Sequence, residues 1–178
     1  LLFSGVKSLQ LTSVRLGCGN GLVFPAFLVL RHLELTGMLP EDDTATVVAT
    51  VAWILRWTPS LEALMLFFLP EPEDIEESDY SYIDEEELLD RHKLKYDRHA
   101  SLAMPDVEIP CCLRETTKEI NLVHYERGLA QRTLTKFLLH NATVVEEVCG
   151  EFAQGPLWIQ TKLMVEIKGW VVKTNGYF

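Results

Sequence analysis

The chain has 178 residues, 48% of them hydrophobic, which suits one domain with a real core and excludes a disordered chain. Its net charge of −10 is local: Glu71–Asp90 holds 11 acidic residues and no Lys or Arg, and without them the total is +1. An acidic chain is a poor partner for nucleic acid, because neutralising phosphates takes clustered Lys and Arg, so no nucleic-acid partner is expected. No apolar run reaches the roughly 18 residues of a membrane span, so no membrane partner is expected either.

One short phrase recurs five times: an aliphatic, two others, an aliphatic, one other, an aliphatic. It reads VKSLQL at Val6–Leu11, LRHLEL at Leu30–Leu35, LEALML at Leu61–Leu66, TKEINL at Thr117–Leu122 and VEEVCG at Val145–Gly150. The last two are degenerate at one end. A phrase of type LxxLxL is the strand signature of a leucine-rich repeat. In a strand, residues two apart share a face. Leu33 with Leu35, and Leu64 with Leu66, therefore point into one core, while Glu34 and Met65 point out and Glu62 lies at the surface. One repeat cannot bury its apolar face alone, so repeats stack and share a core.

Residues 1–70 read as the repeat region. The first three phrases start 24 and 31 residues apart. After the first comes GCGNG at Gly17–Gly21. It reads as a turn, because it has neither the GxGxxG spacing nor a following helix pattern that would cradle phosphate. Leu22–Leu30 is apolar, but Pro25 interrupts it. Between the second and third phrases, Val47, Val51, Ile54 and Leu55 recur at helical spacing. Asp43 or Thr44 can cap this helix and Pro59 ends it. Trp53 and Trp57, four apart, share its flank, where burial against a neighbouring repeat outweighs a contact patch.

Residues 71–100 break the pattern. The acidic run and its interspersed Tyr80 and Tyr82 read as a solvated, mobile insertion or linker, with a short helix in EEELLDRHKL. A calcium loop would need a glycine at its sixth position, and none occurs here. Order is expected to return from Ser101. The TKEINL strand leads to a turn at Glu126–Gly128. A helix follows, with Ala130, Leu134, Phe137 and Leu138 on one face and Asn141 at its close. After VEEVCG, Gly155-Pro156 opens a last helix. Its stripe is Ile159, Leu163, Ile167 and Trp170, widened by Met164 and Val171. This helix caps the open end of the core. Trp158 falls off the stripe; an exposed tryptophan can anchor a partner, but packing near Phe152 is the better reading.

Cys18, Cys111, Cys112 and Cys149 form no CxxC pair, and adjacent cysteines rarely bridge. A reduced compartment is the better reading. His32, His92, His99, His124 and His140 show no zinc-ligand spacing, and no GxSxG or phosphate loop is present. No catalytic residue, cofactor site or metal site is expected, and no target-binding residue is assigned. No signal peptide is visible. The first residue, Leu1, points to a fragment or a processed chain.

The run IPCCLRETTKEINLVHYERGLAQRTLTKFLLHNATVVEEVCGEF, followed by GPLWIQTKLMVEIKGW, resembles the FBD region of plant F-box proteins with leucine-rich repeats. The matching features are Ile120 and Leu122 in an IxL strand, Lys136–Ala142 closing a helix as KFLLxNA, and Val145–Val148 opening the next strand. The likeness covers about 105–171 strongly, and the upstream repeats and acidic segment look similar. It implies the target-binding part of a ubiquitin-ligase substrate receptor, working in the cytoplasm or nucleus. An F-box in such proteins grips a Skp-type adaptor. None is present in these 178 residues, so adaptor binding is not expected of this chain alone.

The expected fold is thus α/β, a leucine-rich-repeat-like solenoid of strand–helix units with a C-terminal capping FBD unit over 101–178. The expected function is recognition of a protein target of unspecified identity. The competing readings are a standalone binding protein outside any ligase and, further off, an enzyme of unknown type.

Overall fold

A computed structural model describes residues 5–16, 25–40, 43–69, 102–126, 128–152 and 157–172. The GCGNG turn, the acidic insertion and the Gly155-Pro156 helix opening lie outside these residues, as do Cys18, His92 and His99.

All five phrases are strands, and each strand begins at the third residue of its phrase. They are β1 (Ser8–Arg15), β2 (His32–Met38), β3 (Ala63–Phe68), β4 (Glu119–Tyr125) and β5 (Glu147–Phe152). They form one parallel sheet in chain order, β1 to β5. The register aligns phrase with phrase: Leu9, Leu33, Leu64, Ile120 and Val148 make one row across the sheet. Identical spacing in every phrase is what allows this, since a slip of one residue would turn a strand's leucines outward.

The helices are α1 (Thr44–Arg56), α2 (Cys111–Glu115), α3 (Leu129–Asn141) and α4 (Leu157–Trp170). Connections between parallel neighbours keep one hand. The helices accordingly share one layer: α1 touches α2 and α3, and α3 touches α2 and α4. Val51 and Leu55 of α1, Leu134 and Leu138 of α3, and Ile159, Leu163 and Ile167 of α4 join the strand leucines in one core. The alternating and helical stripes of the sequence are therefore two sides of a single interface. None of the described helices is long and apolar enough to cross a membrane.

Local chemistry sets the helix ends. The Asp43 carboxylate accepts from the Thr46 N–H at 3.0 Å, and bonds from Thr46 hold the Asp43 carboxyl below its ordinary pKa. Helix α1 stops at Arg56, before Pro59. Helix α3 follows Gly128, and the Asn141 amide Nδ2 donates back to the Phe137 carbonyl at 2.7 Å. Trp53 and Trp57 meet edge-to-face with centroids 6.4 Å apart, both half-buried on the flank of α1.

The degenerate phrases are repaired in different ways. Thr117 fills the first leucine slot of the fourth phrase and is fully buried. Its hydroxyl donates to the Leu61 carbonyl at 3.2 Å, and the Thr116 hydroxyl donates to the same carbonyl at 2.8 Å. A buried hydroxyl so bonded avoids the penalty of an unmet polar group. Gly150 fills the last slot of the fifth phrase. A Cβ there would stand 2.9 Å from Phe152 Cζ and 3.3 Å from Met164 Cε. The phenyl ring and the thioether occupy the volume that a leucine takes elsewhere.

Gly37 serves a tighter purpose. A Cβ there would lie 2.5 Å from the Ser13 carbonyl oxygen, backbone of the irregular end of β1. Glycine in a strand often marks such a close approach. Gly37→Ala is expected to cost about 1–3 kcal/mol, the usual penalty for overpacking. Hydrogen exchange should quicken along β1 in that variant, while β4 and β5 stay protected.

Candidate binding face

With every described helix on one side, the other side of the sheet is built from the third, fifth and seventh residues of each phrase. Register stacks these into rows. The third residues are Ser8, His32, Ala63, Glu119 and Glu147, and the fifth are Gln10, Glu34, Met65, Asn121 and Cys149. The seventh-position row is Thr12, Thr36, Phe67, Val123 and Glu151. The centre of the face is apolar and half-buried, with Met65, Phe67 and Val123; the β1 side is polar, with Arg15 at its end opposite Met38, and the β5 side is acidic and exposed. As expected, Glu34 and Met65 point away from the core.

His124 adds a feature that alternation does not predict. Strict alternation would send it into the core after Ile120 and Leu122. Instead its φ is 57°, the left-handed region, and the β4–β5 register shifts between Val123 and Tyr125. Tyr125 takes the buried position, at 1% exposed. The His124 ring lies against Phe67 with centroids 4.9 Å apart. Bulges of this kind re-aim side chains and recur near functional sites, and histidine tolerates positive φ better than most residues.

Polar groups on the face are held locally. The Gln10 amide donates to Glu34 at 2.7 Å, and the Asn121 amide donates to Glu119 at 2.6 Å. The Cys149 thiol donates to Glu147 at 3.3 Å; that bond, with burial and carboxylate charge, pushes its pKa up. Just below the face, the second residues of the phrases form a charged ladder. Arg31 pairs with Glu62, and Lys118 pairs with Glu146 at 3.0 Å.

The described histidines, side chains suited to metal or nucleophilic chemistry, sit on three different elements. His32 and His124 lie on the open face, while His140 is exposed in the last turn of α3. Among the described residues, no three of His, Cys, Asp and Glu come together as a metal site. Cys111, Cys112 and Cys149 are free thiols. Cys112 is fully buried on α2, and desolvation pushes its pKa up to about 11. Iodoacetamide at mildly alkaline pH is therefore expected to label Cys111 in the folded protein and to spare Cys112 until denaturant is added. Trp158 is 36% exposed, with the Lys162 ammonium 4.6 Å from its ring centre.

The face residues escape a reading of the sequence because they belong to no motif. Only the register brings Phe67, Val123 and His124 together across 57 positions of chain. Compared with protein-family models, with curated proteins and with solved structures, the chain matches none.

Proposed function

We propose that the chain is a leucine-rich-repeat-like solenoid whose open sheet face recognises a protein, with residues 101–178 acting as a capping FBD unit. In this reading it is the target-binding part of an F-box-type ubiquitin-ligase receptor. The observation that carries the recognition role is a sheet face that no described helix covers. Five parallel strands in chain order put all four described helices in one layer and leave a broad surface with an apolar centre and a polar rim. That composition suits a protein interface, whose energy concentrates in a central cluster that a rim shields from water. The ligase context rests on the resemblance of Pro105–Val171 to the FBD region.

Proximity labelling with the intact chain, followed by binding of each recovered protein in purified form, tests the reading. Phe67→Asp with Val123→Asp is expected to abolish target binding. Glu108→Ala, ahead of α2, should leave it unchanged. Fused behind an F-box, both variants should hold the Skp-type adaptor equally, because that grip lies outside this chain. Target binding that survives the open-face pair would overturn the proposal.

A further inference from the structure

Charge is sorted by face. Glu34, Glu119, Glu147 and Glu151 stand on the open face. Every described Lys and Arg except Arg15 lies in a helix or directly ahead of a strand. Several are already committed: Arg56 to Glu108, Arg132 to Glu166, Arg31 to Glu62 and Lys118 to Glu146. Among the described residues, no Lys or Arg pairs with the four open-face carboxylates. Glu34 and Glu119 accept from neutral amides instead. Three of the four lie on β4 and β5, beside the apolar centre at Phe67, Val123 and His124.

We infer that the partner segment taken by this face is basic and carries an apolar anchor. Its Lys and Arg would run along β4 and β5 against Glu119, Glu147 and Glu151. Its aliphatic or aromatic side chain would rest on Phe67 and Val123. The two halves divide the work: buried apolar contact supplies affinity, and opposed charge sets orientation and speeds encounter. An acidic partner would meet like charge along half the face. The inference rests on the open face being the recognition surface.

Selection from a random peptide library displayed on phage, against the full chain, tests it. The enriched peptides should combine Lys and Arg with a large apolar residue. Two variants locate them. The triple exchange Glu119→Gln, Glu147→Gln and Glu151→Gln keeps side-chain size at exposed or half-buried positions and should weaken the peptides about tenfold. Phe67→Ala should weaken them similarly. An unchanged melting temperature in both confirms the fold. Basic peptides indifferent to the triple exchange would be bound elsewhere, for instance by the acids of Glu71–Asp90, and would overturn the inference. So would a failure to enrich any peptide. Neutral or acidic peptides that still depend on Phe67 would overturn it while leaving the open-face reading intact. Peptides indifferent to Phe67 would sink both.

Discussion

Leu64→Ala is expected to lower the unfolding free energy by about 2–5 kcal/mol, the range for truncating a buried leucine. The upper half of that range is favoured by position. Leu64 is fully buried on the central strand, with Leu33 and Ile120 beside it in the same row. Ordered strands flank the void on both sides, so the site collapses poorly. A fall of roughly 5–15 °C in melting temperature should follow. Glu62→Ala, two residues earlier, is the control. Its side chain is 41% exposed and pairs with Arg31 at the surface, and such pairs contribute about 1 kcal/mol or less. Equal effects from the two would show the strand to be out of register by one residue.

The second large effect is expected at Arg132 on α3. Its guanidinium holds the Glu166 carboxylate of α4 through Nε at 2.9 Å and Nη2 at 2.8 Å. The side chains are only 16% and 13% exposed. Removing one member of a well-shielded pair takes an ion-pair partner from the other. Full burial would cost about 3–5 kcal/mol, and the residual exposure brings Arg132→Ala to about 2–3 kcal/mol. Glu166→Leu added to Arg132→Met should recover most of the loss, because an apolar pair carries no desolvation cost. Chemical denaturation of the four species measures this. A double variant no more stable than Arg132→Ala would show that the pair does more than offset its own burial.

Much of this architecture is legible in the sequence, for identifiable reasons. Leu30, Leu33 and Leu35, and again Leu61, Leu64 and Leu66, repeat at one spacing, and repetition distinguishes a strand phrase from a chance apolar run. Helix α1 is legible because Asp43, the valine stripe and Pro59 agree on its limits. Helix α2 is not, since five residues after Pro110 are too few to display a period. The apolar centre of the open face is hidden for a related reason. In ALMLFF no polar residue alternates with the leucines, so nothing local separates Met65 and Phe67 from the core. His124 is hidden because its position depends on one positive φ. The Arg132–Glu166 pair depends on how two helices are rotated about their axes, which no linear spacing encodes.

Chain-order pairing has a consequence for how the two halves of the sheet are joined. Strands β3 and β4 are neighbours, yet the chain between them is roughly twice as long as that between β2 and β3. The entropy lost on closing a segment grows only with the logarithm of its length, so this seam costs about 0.6 kcal/mol more to close than its neighbour. The bonds across the seam outweigh that many times. Thr116 and Thr117 tie to Leu61, and α1 packs on α3. The fold can therefore carry a long, highly charged passage in mid-sheet at almost no thermodynamic disadvantage. Any penalty falls on rate, because β4 must search for β3 through the most distant of the strand-to-strand encounters.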